Sequence, residues 1–172
     1  KYIASSGGVT GTSLAKKYAI SISTTDYHEI LNDTKIDAVI ITTRHNSHAS
    51  FVIASLEAGK HVFVEKPLAL SEEELLKIIT AYSSKASREK GLTITVGYNR
   101  RFSPHIRAIR KRLGSSPGLV NIVATMNAGF IPANVWVHDI KVGGGRIIGE
   151  ACHYIDLCVF LTGSLVSSVC LN

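Results

Sequence analysis

A chain of 172 residues with 45% hydrophobic and 19% charged side chains can build one well-formed core or two small ones, and is too apolar for a disordered segment. Its formal charge of +6, from 19 Lys plus Arg against 13 Asp plus Glu, suits an anionic ligand or plain solubility and does not by itself indicate nucleic acid. No apolar run approaches the roughly 20 residues of a membrane span, because Asp37, Arg44 and Lys60 interrupt the richest stretches.

Lys1 to Ser5 reads as a short strand ending in Ser6-Gly7-Gly8, Thr12 to Tyr18 as a helix, and Ser21 to Thr24 as a strand. Asp26 and Glu29 have capping-box spacing ahead of Ile30-Leu31. Ala38-Val39-Ile40-Ile41 is a continuous apolar run, the mark of a central parallel strand covered on both faces. Ala49 to Ala58 is helical with Gly59 at its C′ position, and His61 to Val64 is the next strand. Ser71 and Glu74 form a second capping box, opening a long helix that Gly91 closes before a strand at Thr93 to Val96. Strands separated by helices imply right-handed βαβ crossovers and a parallel sheet.

The pattern changes after a basic helix at Ile106 to Leu113. Ser115-Ser116-Pro117-Gly118 is a turn-rich joint and the expected boundary between a domain at 1–118 and the start of a second at 119–172. Val120 to Met126 reads as a strand, Gly143-Gly144-Gly145 precedes a helix from about Ile147 to Leu161, and Leu165 to Leu171 reads as a final strand. Cys152, Cys158 and Cys170 are odd in number, form no CxxC pair and lie among apolar residues. They read as buried thiols of a reducing, cytoplasmic compartment, and no signal peptide is visible.

Four places carry chemistry. Glu65-Lys66-Pro67 sits directly after a strand, at the carboxyl end where open α/β sheets bind ligands; Pro67 pushes Lys66 towards an extended conformation. A lysine held there can orient a hydroxyl and ease its deprotonation, although a surface ion pair at a strand end is the plainer reading. Thr42-Thr43-Arg44-His45-Asn46-Ser47-His48 follows the most apolar strand and offers hydroxyls, an amide and imidazoles to a ribose or nicotinamide, or simply a helix cap. Arg100, Arg101, Arg107, Arg110, Lys111 and Arg112 concentrate positive charge that would attract a phosphate or sugar acid, unless they form a solvated helix face. Glu150, His153 and Asp156, spaced i, i+3 and i+6, share one helical face, where His153 can exchange a proton with a substrate hydroxyl. Cys152 points elsewhere on that helix and no second ligand pair exists, so no metal is expected.

The order of these motifs is more specific than any one of them. Asp37 to Ile41, then Thr43, Asn46 and His48, then Glu57-Ala58-Gly59-Lys60-His61-Val62 leading into Glu65-Lys66-Pro67-Leu68-Ala69, resembles the glucose-fructose oxidoreductase / inositol dehydrogenase (Gfo/Idh/MocA) family. Tyr98-Asn99-Arg100-Arg101-Phe102, and the glycine run ahead of His153-Tyr154-Ile155-Asp156-Leu157, are similar to its later motifs. The resemblance implies a Rossmann domain holding NAD(H) or NADP(H), and an α/β domain supplying most of a pocket for a sugar-like or cyclitol substrate. It also implies a hydroxyl/carbonyl interconversion and a homo-oligomer, with no nucleic-acid or membrane partner. Lys66 and His153 match its catalytic positions, and Thr43, Asn46, His48, Glu65 and Pro67 the nicotinamide side. Tyr98, Arg101 and His153 match its substrate side. Arg44 joins the cofactor candidates from the loop it shares with Thr43. A non-catalytic, dinucleotide-sensing regulator of the same fold is the alternative.

Two departures from the family pattern matter. Where inositol dehydrogenase-like members place an Asp four residues before the histidine, this chain has Gly149; Glu150 points about 100° away on a regular helix and is not expected to substitute. Ser6-Gly7-Gly8-Val9-Thr10-Gly11 almost fits a phosphate-binding glycine loop. However, Leu14 to Ile20 and Thr24 to Leu31 look like the segment after the family's second strand. The expected α/β fold is therefore a Rossmann-like parallel sheet lacking its first strand and glycine loop, followed by the start of an α+β substrate domain. On that alignment Ser5 and Ser6 replace the carboxylate that binds the adenosine ribose, which leans towards NADP.

Overall fold

The computed structural model describes residues 1–114 and 118–170. Two parallel sheets form, where one was expected. In the first, β1 (Tyr2–Ala4) pairs with β2 (Ile22–Thr24) in register Ile3 to Ser23, and α1 (Gly8–Lys17) crosses between them. A short α2 (His28–Asn32) then leads to the second sheet, ordered β3 (Ala38–Ile41), β4 (His61–Val64) and β5 (Ile94–Val96). Its crossovers are α3 (His48–Glu57), and then α4 (Glu72–Tyr82) with α5 (Lys85–Glu89). All strand pairs are parallel, so the loops after β3, β4 and β5 emerge at one carboxyl edge.

The core lies under α3 and α4, where Ile41, Ala49, Val52, Leu56, Val62, Val64, Ile78 and Leu92 form one buried cluster. Gly59 takes a left-handed conformation (φ +72°) and turns α3 into β4 as expected. Beside it Lys60 is only 5% exposed, and its ammonium donates to the carbonyls of Asp33 (2.7 Å) and Ile36 (2.8 Å). This cation staples the turn before β3 to the start of β4.

β3 is not covered on both faces, as its apolar run suggested. It is the edge of its sheet, and Ile40 is 72% exposed. A cleft of about 320 Å³ runs between β1 and β3, lined by residues of both strands together with Tyr27 and Phe51. Among the described residues no strand lies between them.

Other elements differ in detail. α1 starts at Gly8 rather than Thr12. The Asp26 carboxylate accepts from His28 N–H (2.9 Å), two residues on, so the expected capping box is a tighter turn. At Ser71 the hydroxyl does accept from Glu74 N–H (3.2 Å), and the Glu74 carboxylate in return accepts from Leu70 N–H (2.8 Å). The long helix breaks at Ser83-Ser84, because the Ser84 hydroxyl takes Ser87 N–H and caps a new start. α6 runs over Pro104–Leu113, opened by the Ser103 cap and proline at N1.

Ser115, Ser116 and Pro117 of the expected joint lie outside the described residues. Val120 to Met126 and Leu165 to Cys170 form no strand; Leu171, the last residue of the second expected strand, lies outside the described residues. A strand needs a neighbour for its N–H and C=O groups, and no described segment pairs with either. Cys152 and Cys158 are half-buried, whereas Cys170 is exposed rather than buried. No helix among the described residues is long and apolar enough to cross a membrane.

Replacing Lys60 with Ala removes the charged donor from two main-chain carbonyls. It is expected to lower the unfolding free energy by about 2–3 kcal/mol, read from urea melts of chain and variant.

Candidate active site

Three loops at the carboxyl edge of the second sheet meet α7 (Cys152–Thr162) and the helical turn before it. Lys66 follows β4 and reaches across 84 positions, its Nζ 3.0 Å from Glu150 Oε2 and also donating to the Gly149 carbonyl. The Lys66–Pro67 peptide is cis, and Pro67 is buried. From the loop after β5, Arg100 donates to the second Glu150 oxygen at 3.0 Å. Arg101 forms a two-pronged pair with Asp156, Nε–Oδ2 at 3.0 Å and Nη2 to Oδ1. Tyr98 stands edge-on to His153, ring centroids 6.1 Å apart. Thus the i, i+3, i+6 face of Glu150, His153 and Asp156 is met by three neighbours in one short loop.

The expectation that Glu150 points away is corrected by the backbone. Ile147–Ala151 is a π-helical turn, not regular α-helix. The extra residue accommodated in such a turn shifts the side-chain register by about one position, close to 100°, and brings Glu150 onto Lys66. Tight glycines sit just upstream. A Cβ on Gly143 would stand 2.6 Å from the Trp136 carbonyl, and one on Gly144 (φ +74°) 2.6 Å from Leu70.

His153 is 6% exposed, and its Nδ1 is buried with no hydrogen-bond partner among the described residues. Burial holds its pKa below the ordinary histidine value; the Lys66 and Arg100 charges push the same way, against Glu150 and Glu65. Burial works to raise the Glu150 pKa, but Lys66 and then Arg100 outweigh it and keep the carboxyl below its usual range. Burial raises the Tyr98 phenol and the Cys152 thiol, which stay protonated at neutral pH.

The loop after β3 is held from both sides. His48 is completely buried, with Nδ1 2.7 Å from the Pro67 carbonyl and Nε2 3.0 Å from that of Thr43, so it braces two loops instead of facing a ligand. His45 Nδ1 lies 2.8 Å from the Gly143 carbonyl, and Asn46 N–H donates to Val142 at 3.1 Å. Arg44 lies over the Trp136 ring at 5.7 Å. Thr43 and Ser47 hydroxyls are 2.7 Å apart at the exposed start of α3, and the Ser47 hydroxyl donates to the Arg44 carbonyl at 2.8 Å. Glu65 is half-buried against Gly97. Ser5 and Ser6 lie far along the edge at the end of β1, near the α1 start. Among the described residues no three His, Cys, Asp or Glu side chains could share a metal ion.

The order of motifs finds its counterpart in known proteins. The sequence profile of an oxidoreductase family with an NAD-binding Rossmann fold, Gfo/Idh/MocA, matches residues 2–98. The chain belongs to this family. It is 34% identical over 159 residues to the scyllo-inositol 2-dehydrogenase (NAD(+)) of Bacillus subtilis, covering 91% of this chain and 44% of that protein. It is 27% identical over 173 residues to the levoglucosan dehydrogenase of Pseudarthrobacter phenanthrenivorans, covering 95% and 42%. A solved levoglucosan dehydrogenase in complex with NADH and levoglucosan superposes with a TM-score of 0.76 at 28% identity, over 95% of this chain and 45% of that one. The chain thus spans a little under half the length of these relatives. The sequence reading named Arg100 within the basic cluster and Glu150 on the face of His153, but not that Glu150 joins Arg100 to Lys66.

The two depressed histidines set a pH dependence. Burial also lowers the pKa of His45, so folded His45 and His153 bind fewer protons than unfolded histidines near pH 6.5. Stability gained above that value is lost as pH falls through it. Urea midpoints should therefore drop between pH 7.5 and 5.5, before carboxylates titrate, and a His153→Gln variant should show a shallower slope.

Proposed function

We propose that the whole protein is an NAD(P)-dependent dehydrogenase that interconverts a hydroxyl and a carbonyl on a sugar, cyclitol or related polyol. The observation that carries this reading is the convergence of the Lys66–Glu150 ion pair with the buried His153, three positions beyond Glu150, at the carboxyl edge of a parallel sheet. Family relatives act on inositols and levoglucosan, as their names state, which supports a polyhydroxylated ring as substrate class.

In the oxidation direction, His153 takes the hydroxyl proton, which its depressed pKa leaves it free to do at neutral pH. The Lys66 ammonium lies against the same oxygen and stabilises the negative charge that develops there. A bound nicotinamide would supply the hydride acceptor, and Thr43 and Asn46 on the loop after β3 would hold it. In the reverse direction His153 returns the proton, and Lys66 polarises the carbonyl. Tyr98 walls the pocket beside His153, while Arg101, paired to Asp156, fixes the loop that carries it.

At the end of β1, Ser5 and Ser6 present hydroxyls where the alignment expects a carboxylate. A 2′-phosphate there meets no like charge. The whole protein is therefore read as accepting NADP(H) at least as well as NAD(H).

Two measurements test these readings. In the whole protein, assayed with myo-inositol, scyllo-inositol and levoglucosan, Lys66→Ala and His153→Ala should each lower turnover by about 10² or more. Near-parental rates for Lys66→Ala would favour a dinucleotide sensor. Nucleotide fluorescence titration should give NADPH a dissociation constant no weaker than that of NADH; a clear NADH preference sinks the serine argument alone.

A further inference from the structure

We infer that Glu150 is the positioning residue of this site, a carboxylate that clamps the Lys66 ammonium with one oxygen while Arg100 anchors the other. The role rests on the dehydrogenase reading of Lys66 given above.

A lysine ammonium has three N–H donors on a flexible four-carbon stem. Here two are spent, one on Glu150 Oε2 at 3.0 Å and one on the Gly149 carbonyl. One donor remains for a substrate oxygen. The clamp is itself immobilised. Glu150 Oε1 takes Arg100 at 3.0 Å, and the Arg100 guanidinium lies over the Tyr154 ring at 4.9 Å. The side chains of Lys66 and Glu150 are only 16% and 20% exposed, so water competes weakly for either charge.

The π turn is the device that makes this possible. Gly149 supplies a main-chain acceptor and no side chain, and a Cβ there would stand 3.3 Å from the His45 ring. The adjacent residue, rotated by the turn, supplies the carboxylate. One carboxylate between two cations leaves a net positive charge beside His153, which suits an alkoxide developing next to it. Without Glu150 the ammonium is held by one carbonyl alone and swings towards solvent.

The test compares Glu150→Ala and Glu150→Asp in the whole protein, with two independent readouts. The first is acylation of Lys66 by acetic anhydride, followed by mass spectrometry of its peptide. Glu150→Ala should label several-fold faster than the parent, and Glu150→Asp should return most of the protection. The second is steady-state kinetics on the inositols and levoglucosan. Glu150→Ala should lower kcat about 10- to 100-fold with KM changed less than about threefold, and Glu150→Asp should recover much of the loss.

Unchanged Lys66 labelling in Glu150→Ala overturns the proposal, as does a kcat within threefold of the parent. Equal losses in the Ala and Asp variants, with a matching fall in thermal midpoint, also overturn it, because the carboxylate is then only structural. Faster Lys66 labelling in Glu150→Ala, with a parent that oxidises none of these polyols, leaves the clamp standing and removes the dehydrogenase reading instead.

Discussion

A carboxylate taken out of water needs charge and hydrogen bonds in return, and Glu150 obtains both from two loops that the sequence separates widely. Lys66 arrives from the end of β4 and Arg100 from beyond β5. Neither could be brought to Glu150 unless β3, β4 and β5 ran parallel, since only then do successive strands release their loops at one edge. The bridge therefore ties the Rossmann-like layer to the helical turn that follows the glycine run. Arg101 with Asp156 repeats the tie one turn further along. Removing the Glu150 charge would leave two cations facing each other across a half-buried gap.

Several features that resemble ligand contacts are, in this fold, the scaffolding of that bridge. His48 spends both ring nitrogens near carbonyls of the loops after β3 and β4. His45 and Arg44 hold the Trp136 segment, His45 edge-on at 4.8 Å and Arg44 above the ring. The close approach of Gly143 to Trp136 and Val137 makes that packing possible. Polar residues after a parallel strand thus divide into two groups. Thr43 and Ser47 lie at the exposed start of α3, and the histidines face inwards to set the loop.

The electrostatics follow the same division. Burial and two neighbouring cations keep His153 neutral, so its proton-accepting form dominates where the reaction would run. The same cations keep Glu150 ionised against its own burial. Lys66 is common to both effects. A change at Glu150 would consequently alter the geometry of Lys66 and the charge felt by His153 together.

The sequence by itself determined the strand and helix succession from β1 to α4, the strand at β5, the helix at α6, the cap at Ser71 and the turn at Gly59. These depend on neighbours a few residues apart, where periodicity and capping chemistry speak directly. It also determined the family, because motif order survives where single motifs are ambiguous. It did not reveal the second use of Ser83-Ser84, where a hydroxyl breaks a continuous helical pattern. Nor did it show that β3 would stand at an open cleft, since whether an apolar run is central depends on which strands flank it. Above all, Glu150 was read on a regular helix and so turned away. Only the tertiary structure decided its direction, because a π turn leaves no periodic signature in five residues and is held in place by partners 50 and 84 positions distant.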